Sequence, residues 1–76
     1  MKMKVRKQIR LNTIEDVKHL MEVIDGTNDE YILQDESGNM TADAHTMMGI
    51  MYAASAFNEK VYLINLSEDG YFPSGL

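Results

Sequence analysis

A chain of 76 residues with a net charge of −5 and no cysteine is a single small domain over 1–76. Its core is modest, and it has neither a disulfide framework nor a thiolate metal site. No apolar run approaches the roughly 18 residues of a membrane span, and the basic start lacks the apolar stretch of a signal peptide, so a cytoplasmic protein is expected. Charge is uneven: Lys2, Lys4, Arg6, Lys7 and Arg10 crowd the first ten residues, while the rest sets Lys18 and Lys60 against all 12 acids. So acidic a body disfavours nucleic-acid binding, and the basic stretch reads as a solvated strand face guarding a sheet edge, or as a lure for an acidic partner.

Residues 3–11 alternate, with Met3, Val5, Ile9 and Leu11 on one face and Lys4, Arg6, Gln8 and Arg10 on the other; only Lys7 breaks the inward row. That pattern predicts a half-buried strand. Asn12-Thr13-Ile14-Glu15-Asp16 follows, with two overlapping capping boxes, Asn12 with Glu15 and Thr13 with Asp16. Ile14, Val17, Leu20, Met21 and Ile24 then recur at helical spacing, and Asp25-Gly26 predicts a glycine-terminated, left-handed helix end. Tyr31 to Leu33 reads as a short strand, Asp35 to Asn39 as a turn, and Met40 to Asp43 as the returning strand.

A second helix is expected from His45 or Thr46 to about Phe57. At 100° per residue, Ile50, Ala53, Ala54 and Phe57 share one face, Met47 sits on its margin, Met51 lies to the side, and Met48 and Tyr52 lie roughly opposite. Asn58 is placed as a left-handed exit. Val61 to Leu66 is almost wholly apolar, which predicts a central strand. Ser67 to Gly70 reads as a turn, and 70–76 as a tail too rich in Pro and Gly for a third helix. The order β-α-β-β-α-β predicts an α+β fold: a four-stranded antiparallel sheet with both helices on one face.

The segment His45-Thr46-Met47-Met48-Gly49-Ile50-Met51, together with this order of elements, resembles the histidine-containing phosphocarrier (HPr) family of the bacterial sugar phosphotransferase system. That family's second helix opens with a basic residue, serine, an aliphatic residue, Met, Gly, an aliphatic residue and Met. The likeness runs from about Val5 to Asp69, and Val61 and Leu63 fall where the family's last strand carries core residues. It implies an HPr-like open-faced β-sandwich without the family's third helix. The apolar surface so left predicts cover by Tyr71, Phe72 and Leu76, or by another chain as a homodimer or an obligate partner.

In HPr proteins a histidine at the start of helix 1, within His-Ala-Arg-Pro, carries phosphate. The imidazole attacks the phosphoryl group, while helix N-terminal amides and the Arg steady the anion. The matching positions here read Glu15-Asp16-Val17-Lys18. Nucleophile and Arg are both missing, so no catalytic residue is assigned and no phosphotransfer through Glu15 is expected. His19 lies one turn further on, past the free amides, and His45 has no evident base or Arg. Both histidines read as ordinary surface residues, and two lone histidines make no metal site.

The resemblance also implies a regulatory site. In Gram-positive members a kinase phosphorylates the serine that opens helix 2, and the product binds a transcriptional regulator. Here that position is Thr46, which reads first as an N-cap worth roughly 1 kcal/mol and second as a phosphorylation candidate. The family's helix-2 methionines dock enzyme partners, which assigns Met47, Met48, Met51 and Tyr52 as partner-binding. The expected function is therefore an HPr-like regulatory or protein-interaction domain with no cofactor and no enzymatic activity of its own. Its partners would be phosphotransferase-system enzymes, the kinase or the regulator. Two alternatives are an active phosphocarrier, which Glu15-Asp16-Val17-Lys18 opposes, and a small-molecule-sensing ACT-like module, for which Asn12-Thr13 offers no glycine-rich ligand loop.

Overall fold

Six elements follow one another: β1 (Arg6–Ile9), α1 (Ile14–Asp25), β2 (Tyr31–Gln34), β3 (Thr41–Asp43), α2 (Met47–Ala56) and β4 (Val61–Asn65). They come from a computed structural model that describes residues 6–57, 60–67, 72 and 76. The fold is α+β, and its four strands form one antiparallel sheet in the order β1-β4-β2-β3. The apolar run Val61–Ile64 therefore sits between two neighbours, as expected of a strand covered on both sides. The basic strand β1 is an edge.

Register assigns the two faces. Leu63 lies between Lys7 and Leu33, Val61 pairs with Ile9, Tyr31 pairs with Asn65, and Leu33 pairs with Ala42. Except for Lys7 at the edge and Asn65 at the end of β4, this face is the apolar one. Its Tyr31, Leu33, Val61 and Leu63 join Val17, Leu20 and Ile24 of α1 and Ile50 and Ala53 of α2 in a single core. Both helices thus pack on one side of the sheet. On the other side Arg6 lies over the Tyr62 ring, 4.2 Å from its centroid, and donates to the carbonyls of Asp35 (3.0 Å) and Glu36 (3.2 Å). One side chain thereby ties edge strand β1 to the β2–β3 turn.

The start of α1 uses the Thr13–Asp16 capping box. The expected Asn12–Glu15 box is replaced: the backbone N–H of Asn12 joins that of Thr13 in donating to Asp16 Oδ2, at 2.9 and 3.1 Å. Ile14, placed on the core stripe by its spacing, is the first residue of the helix and is 51% exposed. Gly26 is not left-handed either, with φ −78° and ψ −1°. The helix stops because Thr27 turns both its amide and its hydroxyl onto the carbonyl of Ile24, each at 2.9 Å. Among the described residues, the glycine with a positive φ is Gly38 (φ 82°), whose N–H is held by Asp35 Oδ1 at 2.8 Å. Lys60 meets Glu36 at 2.8 Å beside this turn, with both side chains more than half exposed, so the pair adds little stability.

Phe72 and Leu76 pack on the core, Phe72 with its ring 6.3 Å from that of Tyr31. Phe72 and Leu76 therefore supply apolar cover to the core, as two of the three tail residues expected to do so. Met3 and Val5, the left-handed exit at Asn58, most of the Ser67–Gly70 turn, and Tyr71 lie outside the described residues. Asn65, read as the end of an apolar strand, is fully buried. Its amide donates to Asp29 Oδ2 (3.1 Å), and its carbonyl accepts from the Ser67 amide (2.8 Å) and hydroxyl (2.6 Å). Burial of this amide is compatible with stability because its polar atoms are paired.

Candidate functional site

Helix α2 begins where β3 ends. Thr46 is its N-cap in extended conformation, with Oγ1 accepting from the Gly49 N–H at 3.1 Å. One residue earlier, His45 donates its N–H to Asp43 Oδ1 (2.9 Å), while its Nε2 accepts from the Tyr31 N–H (2.9 Å). An imidazole that accepts through Nε2 carries its proton on Nδ1. His45 is thereby a strut between β2 and α2, and the nitrogen it would need for nucleophilic attack is engaged.

Gly49 is required here by sterics. A Cβ built on it would stand 2.2 Å from the Asp43 carbonyl oxygen and 3.0 Å from Thr46 Oγ1. Only a residue without Cβ lets the first turn of α2 close down on β3. The Met-Gly-x-Met arrangement thus has a physical basis: glycine seats the helix, Ile50 and Ala53 enter the core with no exposed surface, and the methionines are turned away. Met48 is 85% exposed, Met51 and Tyr52 49% each and Met47 40%. All four residues assigned to partner binding therefore lie on the surface, with Met47 more open than its place on the core margin suggested. Tyr52 is braced edge-on against Phe57, ring centroids 5.9 Å apart.

The start of α1 has a different character. Glu15 is exposed, and the Asp16 carboxylate reaches back to take the amides of Asn12 and Thr13, just ahead of the first helical turn. An incoming phosphoryl group would meet the negative charge of both Glu15 and Asp16 there. One neighbouring arrangement was not legible in the sequence: His19 and Arg10, nine positions apart, line one cleft of about 350 Å³ together with Ile9, Asp16, Leu20 and Leu76. They share it because Arg10 directly follows β1 and His19 lies along α1.

The two helix starts are far apart in the fold. The ends of β1 and the start of β4 share one end of the sheet, while the start of β2 and the ends of β3 and β4 share the other. Helix α1 runs from the first end to the second, and α2 runs back. Glu15 and Thr46 consequently lie at opposite ends of the helical layer.

A larger cleft of about 620 Å³ lies at the far end of α2, between Asp35, Glu36, Ser37, Met40, Ala56, Phe57 and Lys60. Desolvation pushes the Asp35 carboxyl up. Donors from the Met40 amide, the Ser37 hydroxyl and the Gly38 and Asn39 amides outweigh this and hold it below the ordinary carboxylate range. The hydrogen bond from Lys60 to Glu36, with the charge of Glu36 behind it, raises the Lys60 ammonium above the ordinary lysine range. These groups are consumed in holding the hairpin turn, and nothing aims them at a common point.

Among the described residues no group of three or more His, Cys, Asp or Glu is placed to hold a metal ion, and no helix is long and apolar enough to cross a membrane. Comparison with protein-family models, with curated proteins and with solved structures gives no match.

Proposed function

We propose that this chain is an HPr-like regulatory or protein-interaction domain related to the sugar phosphotransferase system, which docks protein partners through α2 and does not carry phosphate on histidine. The observation that carries the reading is the exposed set Met47, Met48, Met51 and Tyr52. It stands on a helix whose other side is fully buried, and thioethers of this kind suit contact with more than one surface. Support for the negative half comes from Glu15, which stands where the family's histidine would, and from the Asp16 carboxylate beside it, which bonds the Asn12 and Thr13 amides and adds a second negative charge. Thr46 keeps a hydroxyl at the start of α2, where added phosphate would meet the positive end of the helix.

Intact-mass measurement tests both halves. The protein is incubated with phosphoenolpyruvate and enzyme I, and separately with ATP and HPr kinase. No phosphoryl gain is expected in the first reaction. A gain abolished by Thr46→Ala, or a kinase-induced perturbation of the α2 amide resonances, is expected in the second. A gain in the first reaction, lost in His19→Ala, would replace this reading with a phosphocarrier working through the cleft of Arg10 and His19. No mass gain and no perturbation by either protein would remove the link to the phosphotransferase system.

A further inference from the structure

Cations are few in this chain, 7 Lys and Arg against 12 acids, and Lys2, Lys4, Arg6, Lys7 and Arg10 hold most of the positive charge. Arg6 and Lys7 belong to β1, and Arg10 directly follows it. This strand has β4 on one side and, among the described residues, no strand on the other. Its Arg6, Lys7 and Gln8 are exposed and Ile9 is half-buried. Alternate residues of such an edge turn their N–H and C=O groups outward, a template for one more strand. The cations beside it are not all neutralised within the protein. Among the described residues the one ion pair joins Lys60 to Glu36, which leaves Lys7 and Arg10 without a carboxylate partner there. Arg6 is committed instead to the Tyr62 ring and to the carbonyls of Asp35 and Glu36. It pins the edge to the sheet, so β1 is held in shape before anything binds. A cleft of about 440 Å³ between Gln8, Ile9, Arg10 and Asn12 continues from the end of the strand.

We propose that β1 is a second docking surface, which takes an extended acidic segment of another protein as an added strand. Main-chain hydrogen bonds to the outward groups of β1 hold the segment, and its carboxylates meet Lys7 and Arg10. Charge decides both what binds and where. Edge lysines discourage strand pairing in general, and the strand they admit is one that brings the opposite charge. Beyond the first ten residues the chain sets only Lys18 and Lys60 against all 12 acids, so an acidic segment is repelled elsewhere and drawn to this edge. The site is separate from the methionine surface, because α2 packs on β3 and β2, toward the opposite edge of the sheet. A segment added to β1 therefore leaves Met48, Met51 and Tyr52 open.

The probe is a short peptide alternating Glu with Val, titrated into the protein and followed by amide resonances and hydrogen exchange. Shifts and slowed exchange are expected at the amides of Arg6–Ile9, with the α2 amides unmoved and an affinity that falls as salt rises. Lys7→Glu should weaken binding at least about fivefold. Lys18→Glu, the same change of charge at an exposed position of α1, should weaken it far less. Two further peptides separate the contributions. The first has Lys in place of Glu. The second is methylated on every amide nitrogen, which keeps the carboxylates and removes the backbone donors. Neither should bind. Equal binding of either control peptide, a perturbation that misses β1, equal weakening by the two substitutions, or no binding at millimolar peptide overturns the proposal. Perturbation of the same β1 amides on concentrating the protein alone overturns it too, by giving the edge to a second copy. None of these outcomes bears on α2, which the kinase experiment reads separately.

Discussion

Replacing Gly49 by alanine should lower stability, although alanine is the better helix former by about 1 kcal/mol. The added methyl would stand 2.2 Å from the Asp43 carbonyl oxygen, and an ordinary C···O contact needs roughly 3.3 Å or more. About 1 Å of relative movement is therefore demanded of two backbone segments that are both held. Asp43 is paired to Ile32 in the sheet, and the Gly49 amide is fixed to Thr46 Oγ1, itself only 3.0 Å from the new carbon. Overpacking costs about 1–3 kcal/mol, and disturbing the cap adds about 1 kcal/mol. After the gain in propensity, a net loss of roughly 1–3 kcal/mol remains, and for a domain of this size each kcal/mol lowers Tm by about 4–8 °C. Gly26→Ala is the matched control. Its Cβ would meet nothing nearer than 3.5 Å, and its backbone is already right-handed, so a gain of about 0.4–1 kcal/mol is expected. Thermal and urea unfolding followed by circular dichroism measures both. If Gly49→Ala is as stable as the parent, or if the two substitutions move Tm in the same direction, the account of how α2 is seated is wrong.

Three other outcomes follow from the same geometry. Thr46→Ala removes the α2 cap and should cost about 1 kcal/mol in urea denaturation, while Thr46→Ser retains most of it. His45→Ala leaves the Tyr31 N–H without its Nε2 acceptor and should cost about 1–3 kcal/mol, with faster hydrogen exchange at the Tyr31 amide as the specific readout. Asp35 has a depressed carboxyl, so its contribution to the β2–β3 turn is complete above the unfolded-state value of about 3.9. That contribution is lost as pH falls through the lower folded value. Protection of the Gly38 amide should accordingly persist at pH 5 and disappear only in stronger acid, and Asp35→Ala should abolish that acid step.

Much of this chain is legible because its signals are local. Thr13 with Asp16 and the hydroxyl of Thr46 mark helix starts within three residues of the groups they bind, and the wheel of α2 separates Ile50 and Ala53 from Met48 and Tyr52. Where the reading failed, the deciding contact was of a kind the local pattern does not encode. Gly26 looked like a left-handed stop, yet Thr27 ends the helix through Ile24. Ile14 fits the apolar spacing of α1 but stays exposed at the first position of the helix. The cleft shared by Arg10 and His19 and the burial of Asn65 against Asp29 and Ser67 depend on how whole elements are laid together.

The sequence by itself therefore determined the six elements, the central place of the apolar strand Val61–Asn65, and the outward side of α2. These follow from periodicity and from end signals that act over one turn or one strand. Only the tertiary structure decided that the two neighbours of β4 are β1 and β2, that His45 props the start of β2, that Gly49 is seated against Asp43, and that Phe72 and Leu76 cover the core. Each of these joins segments whose meeting depends on burying one shared apolar face, a condition on the whole chain that no single segment carries.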